Sequence, residues 1–209
     1  MLCGYFDYLN GKKIVLGSQS INRKKLLDDA GLKVVQIISG FEEDLVKDTF
    51  DTVTEYVRAT CTRKREALLK QGIDFDLLIV CDTVCAIGKK VIEKATDKQD
   101  HIRMMKELRD AKTHQVVSVA YLVFSKDGQN ITKEIVSITD VEIAQIPDAS
   151  IEKYLDCYPH CINVSGGYEM LQSGMTVVSS ITGSPANLYG LPISEITLGI
   201  VEAIESNQL

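Results

Sequence analysis

At 209 residues, with 23 lysines and arginines against 29 aspartates and glutamates, the chain carries a formal net charge of −6. It shows no basic stripe of the kind that nucleic-acid binding needs. No apolar run approaches the roughly 20 residues of a membrane span, and the opening MLCGYFDYLNGKK lacks the apolar core and cleavage pattern of a signal peptide. The expectation is a cytoplasmic protein that binds neither nucleic acid nor membrane. Its six cysteines are scattered, several in apolar runs, which fits reduced thiols better than a disulfide framework. The length suffices for a real core, and no repeat, low-complexity stretch or linker divides it, so residues 1–209 read as one domain.

In chain order, KIVLG (13–17) is a short strand. The segment behind it is a helix, with Ser20 as N-cap, Gly31 as stop, and Leu26, Leu27 and Ala30 on one apolar face. Ser18, Ser20, Asn22 and Arg23 therefore cluster where a strand feeds a helix N-terminus, a place suited to phosphate, although most Ser-capped helices bind nothing. KVVQII (33–38) is a second strand. In the following loop Glu42, Glu43 and Asp44 either form a solvated acidic turn or offer hard oxygen ligands to a divalent cation.

Residues 52–70 form a helix ended by Gly72, with a stripe through Val53, Tyr56, Val57, Thr60, Cys61, Ala67 and Leu68. Lys64 falls on that stripe while Arg63 and Arg65 point away. An inward lysine either snorkels to water or meets an anion. The apolar run Leu77 to Cys81 reads as a core strand ending at Asp82-Thr83. A short second strand, a Gly88-Lys89 turn and a return to Glu93-Lys94 follow. An acid at the tip of such a strand is where open α/β sheets place chemistry, or it simply opens a turn.

Beyond it, Thr96 and Gln99 suggest a capping box for a helix to about Ala111. Residues 113–124 and 134–144 read as a hairpin turned by Asp127-Gly128. His114 at its entrance is a structural residue more often than a catalytic one. After a short helix, 149–156, Cys157, His160 and Cys161 hold the atoms of a zinc site but no second ligand pair, which argues against zinc. SGGYEMLQSGM (165–175) suits either close backbone approach to a ligand or an irregular loop. A strand at 175–181, the loop SPANLYGLP and a helix at 193–205 complete the chain.

Taken together these stretches resemble the Maf family of nucleotide pyrophosphatases. The family's ASxSPRRxELL corresponds to GSQSINRKKLL, its GADTxV to VCDTVCAI and its GKP to IEKA. Its GxTHxV corresponds to AKTHQV, its AGGYGIQGxG to SGGYEMLQSG and its NVVGLP to NLYGLP, all in order. The resemblance implies an elongated α/β fold, two lobes flanking a cleft around a mixed, twisted sheet. It implies hydrolysis of a nucleoside triphosphate to monophosphate and pyrophosphate with a divalent metal, Mg²⁺ or Mn²⁺, and often a homodimer.

Carried over, Ser18 and Arg23 hold phosphates, with Asn22 in the same seat. Glu42, Glu43 and Asp82 lie by the metal and the attacking water, Asp82 taking its proton, and Lys64 and Lys94 neutralise the phosphate chain. Thr83, Tyr168 and Gln172 belong to motif forms that resemble members acting on dTTP and UTP, so a pyrimidine nucleotide is the expected substrate and clearing of modified pyrimidine nucleotides the expected role. The chain departs from the pattern where a family arginine is Asn22, which cannot replace the charge. It departs again where the family glutamine aligns with Leu171 and Gln172 sits one place later. An inactive nucleotide-binding relative is the alternative these departures raise.

Overall fold

A computed structural model of the protein describes residues 2–42, 44–170 and 173–209. Among them seven strands form one open mixed sheet, ordered β2-β1-β3-β5-β6-β7, with β4 also paired to β3. The strands are β1 (Ile14–Leu16), β2 (Val34–Gln36), β3 (Leu77–Ile87), β4 (Lys90–Ile92), β5 (Thr113–Lys126), β6 (Gln129–Ile143) and β7 (Val178–Thr182). Helices α1 (Phe6–Asn10), α2 (Ile21–Asp29), α3 (Val53–Lys70), α4 (Lys98–Ala111), α5 (Asp148–Cys157) and α6 (Ile193–Glu205) flank it. β1 runs parallel to both β2 and β3, and the remaining pairings are antiparallel.

Side-chain alternation along β3 distributes the core. Leu77, Ile79 and Cys81 join Leu16, Leu27, Phe124 and the inner face of α6 on one side of the sheet. Leu78 and Val80 point the other way, against Val57, Cys61 and Leu68 of α3. A third cluster, built on Cys85, Met105, Leu108, Ile151 and Tyr154, packs α4 and α5 against the far end of the same strands. β3 and β5 thus run through more than one core.

The expected strand end at Asp82-Thr83 is not what forms. β3 continues to Ile87 because β5 pairs with it residue for residue, including Asp82 opposite Val119 and Thr83 opposite Ser118. What stops instead is the neighbour on the other edge. β1 pairs with β3 only from Leu77 to Ile79, and β4 takes up that edge only at Cys85. Between them lies a stretch of β3 edge that no strand covers.

Other boundaries also moved. Asp97, not a Thr96–Gln99 box, caps α4, its side chain accepting from the Asp100 N–H. The true capping box is Thr52 with Glu55 at the start of α3. β6 begins at Gln129 rather than Glu134, since the two-residue turn at Asp127-Gly128, both at positive φ, lets pairing start at Lys126 opposite Gln129. β7 begins at Val178, residues 174–176 being a tight helical turn. Arg65 does not point away from the fold but lies over the Tyr121 ring, 4.5 Å from its centroid.

Gly17 shows how closely β1 and α3 approach the uncovered edge. Its N–H donates to the Ile79 carbonyl at 2.8 Å, and a Cβ there would stand 2.3 Å from Leu68 Cδ1 and 3.2 Å from Val80 Cγ2. Both neighbours are fully buried, so the added methyl has nowhere to go. Gly17→Ala is expected to cost about 1–3 kcal/mol by overpacking, read as a lowered urea midpoint with unchanged slope.

Candidate active site

The uncovered edge of β3 is the floor of a cleft of about 440 Å³. Its backbone groups must find partners other than a strand. Arg23, on the first turn of α2, supplies one. Its Nη1 donates to the Cys81 carbonyl at 2.8 Å and to Ser18 Oγ at 3.3 Å. Its Nε donates to the Gly190 carbonyl at 2.7 Å and its Nη2 to Thr83 Oγ1 at 3.2 Å. Ser165 Oγ supplies another, accepting from the Cys85 N–H at 3.2 Å. The planar fork of Arg23 therefore joins α2, β3 and the loop before α6, and it does so with four of its five N–H donors. The arginine expected to hold phosphate is largely engaged in holding the cleft together.

Asp82 rises from the middle of β3 toward α3, where Lys64 comes down to meet it. The Nζ–Oδ1 distance is 2.6 Å, and both side chains are mostly buried. The inward lysine thus meets a carboxylate at the cleft wall. Ser18, Asn22, Arg23, Lys94, Thr83 and Tyr168 line the same cleft. Thr83 Oγ1 also contacts Ser118 Oγ at 2.7 Å and donates to the Gly190 carbonyl. Glu42 is exposed and is not among the lining residues. Glu43, Leu171 and Gln172 lie outside the described residues.

Tyr168 is buried, and its hydroxyl meets His114 Nε2 at 2.7 Å. The backbone bends at Gly166 and Gly167, both at positive φ, between the lining residues Ser165 and Tyr168. A side chain at Gly167 would strike His101 and Met104. His101 Nε2 lies 2.8 Å from the Gly167 carbonyl. A carbonyl only accepts, so that nitrogen carries the proton. Two histidines thus fix this loop from below. His160 pairs with Glu169 rather than with a metal set: Nε2 lies 2.8 Å from Oε2, and no group of three potential metal ligands of the His, Cys, Asp and Glu types occurs among the described residues. Sequence reasoning missed Glu169, which lines the cleft and accepts from Asn22 Nδ2 at 2.6 Å. The signal for it is an acid directly after the GGY motif, where the resembling pattern has glycine.

A cleft with two lysines and a helix N-terminus beside a carboxylate, opening at a sheet edge, has a charge pattern suited to a phosphorylated small molecule. Comparison with known proteins narrows the class. The family model described as "Maf-like protein" matches residues 13–202. A protein of Schizosaccharomyces pombe named dTTP/UTP pyrophosphatase is 32% identical over 207 residues, covering 94% of this chain and 86% of that protein. A Chlamydia pneumoniae protein named nucleoside triphosphate pyrophosphatase is 31% identical, covering 88% and 90%. A human protein named probable bifunctional dTTP/UTP pyrophosphatase/methyltransferase is 29% identical over 97% of this chain but 34% of its own length. The chain belongs to the Maf-like protein family.

Two stability predictions follow from the site's supports. Arg23→Lys removes the fork and leaves buried carbonyls short of donors, which is expected to cost about 2–4 kcal/mol. Thermal melting would register it as a fall larger than that caused by Lys24→Ala, whose ion pair is exposed. Burial lowers His114 to about 4 from the ordinary 6.5, and lowers His101 as well. Between those two values the unfolded chain binds the proton and the fold does not, so stability falls as pH falls through the window. The full loss from His114 is about 3 kcal/mol. The urea midpoint should drop more steeply from pH 7 to 4.5 in the wild type than in His114→Gln, and equal slopes would contradict a buried neutral imidazole.

Proposed function

We propose that the chain is a nucleoside triphosphate pyrophosphatase, releasing pyrophosphate and the monophosphate from a pyrimidine nucleotide of the dTTP/UTP kind. The observation that carries this reading is the Lys64–Asp82 pair standing in one cleft with Lys94 and the start of α2. The names of the relatives supply the substrate class. Four of the free cysteines are buried, which suits a reducing compartment, and a cytoplasmic house-cleaning role goes with the reading.

In this reading Asp82 is the general base. Its carboxylate, held by Lys64 at 2.6 Å, lines the cleft where it can accept the proton of a water attacking the α-phosphorus. Lys64, shared between Asp82 and the cleft, and Lys94 stabilise the negative charge that develops on the departing pyrophosphate. Ser18 and the first turn of α2 orient the phosphate chain, and Thr83 and Tyr168 shape the wall. The donor set fits a cation of the Mg²⁺ or Mn²⁺ type, since such ions are commonly held by one or two carboxylates together with substrate phosphates and water. Asp82 would hold it, and when bound it supplies charge neutralisation across the phosphates. The pairing of Asn22 with Glu169, in place of a cationic phosphate contact, favours the second reading, a relative that binds nucleotide without turning it over.

The deciding experiment measures pyrophosphate release with Mg²⁺ and with Mn²⁺ from dTTP, UTP and base-modified pyrimidine triphosphates. Turnover is expected, and Asp82→Asn should lower kcat by about 100-fold or more. No release above the blank, with nucleotides still raising the melting temperature, would overturn the enzyme and leave the binding protein.

A further inference from the structure

The charges lining the cleft fall short of the ligand it is read to hold. Among the described residues three cationic side chains line it, Arg23, Lys64 and Lys94, and two acidic ones, Asp82 and Glu169, so the formal balance is +1. Two of the three cations are already engaged. Arg23 donates to four protein acceptors, and Lys64 meets Asp82 at 2.6 Å. A triphosphate carries several negative charges, and like charges repel strongly in a partly desolvated cleft. The missing positive charge has to arrive with the ligand.

The shortfall is concentrated at the start of α2, where the phosphate chain is seated. The resembling pattern has an arginine where Asn22 stands and a glycine where Glu169 stands. Here the two positions touch. Glu169 Oε1 accepts from Asn22 Nδ2 at 2.6 Å, while Oε2 lies 2.8 Å from His160 Nε2, a residue that adds charge only when protonated. A cation has become neutral and a neutral residue has become an acid, a change of two charges at one point. With both oxygens held and its side chain only 12% exposed, Glu169 leaves this place only by giving up those contacts. A divalent cation carries the two charges that are missing, and ions of the Mg²⁺ type are commonly held between substrate phosphates and one or two carboxylates.

We propose that Glu169 is a specificity-determining residue for the charge form of the ligand, making the cleft take the divalent-cation complex of a triphosphate in preference to the bare triphosphate. The proposal rests on the phosphate seat of the reading above but not on turnover. Asn22 and His160 are positioning residues for the carboxylate.

The test measures Kd at about pH 8, above the ordinary histidine range, for inorganic tripolyphosphate and for the α,β-methylene analogue of dTTP, which resists cleavage between its first two phosphates. Each is titrated with Mg²⁺ in excess and again with EDTA. The wild type should bind the Mg²⁺ complex about tenfold or more tightly than the bare ligand. In Glu169→Gln and Glu169→Gly the bare ligand should tighten by about tenfold, and the complex by no more than about threefold, so that the preference falls toward one. Asn22→Arg should lower the preference from the other side of the contact, and it decides the matter should a Glu169 variant fold poorly. Asp156→Asn removes one charge from the exposed face of α5 and should leave the preference as it is.

A preference that stays at the wild-type value in the Glu169 variants would overturn the proposal. So would equal tightening of bare ligand and complex, because Glu169 would then only repel charge. An equal response in Asp156→Asn would overturn it too, since net charge alone would then explain the effect. Tripolyphosphate bound with the expected ratios, and no nucleotide bound, would refute the nucleotide reading and leave the selection standing. Nucleotide bound at ratios indifferent to Glu169 would refute the selection and leave the reading standing. Binding of neither ligand by any of these proteins would end both.

Discussion

The site exists because one strand edge goes unpaired. β3 is zipped to β5 along nearly its whole length, while its other edge is shared between β1 and β4 with a gap between them. Exposed backbone groups at such a gap must be satisfied, and the solution here is a guanidinium. Arg23 spans from α2 to the Cys81 carbonyl, to Thr83 and to the Gly190 carbonyl. One side chain therefore fixes the distance between the helix N-terminus, the strand carrying Asp82 and the loop before α6. A lysine in its place keeps the charge and loses the geometry.

The polar residues around that gap divide into supports and presenters. His101 and His114 are buried below the Gly166-Gly167-Tyr168 bend, each with a ring Nδ1 that has no partner among the described residues. They are neutral posts rather than acids. Lys64 and Asp82 are mutually desolvated, and a buried pair of this kind is poor evidence of stability, since apolar replacements often serve a fold as well. Its place in the cleft wall is what distinguishes it from the apolar packing around it.

Much of this was legible in the sequence. Lys64 was anomalous on an apolar stripe, Asp82 was singled out at the expected tip of a core strand, and the fold puts them 2.6 Å apart. Ser20 as N-cap, and the two-residue turn at Asp127-Gly128, were local signals that held. The end of β3 was misread because a polar Asp-Thr pair looks like punctuation. Strand pairing with β5, a contact between residues far apart in sequence, decided otherwise. The Thr96–Gln99 box was misread because Asp97 is the stronger cap by one position. Glu169 was passed over for a different reason. Its meaning depends on Asn22 and His160, which no spacing in the chain connects to it. The role expected of Arg23 was read from its charge, whereas the geometry shows how many protein acceptors it already serves.

The pairing pattern also sets an order in time. β5 and β6 are joined by a two-residue turn and matched through fourteen consecutive pairs, contacts that cost little loop closure. β1 reaches β3 only by joining Ile14 to Leu77, across a loop of roughly sixty residues that includes two helices, and such parallel pairings come slowly. The hairpin can therefore stand before the cleft does. A chain arrested at that stage would hold most of its sheet, judged by backbone signals, and yet have no floor between β1 and β4 on which a nucleotide could rest. Ligand binding therefore reports on the β1, β3 and β4 arrangement, to which backbone signals from the hairpin are blind.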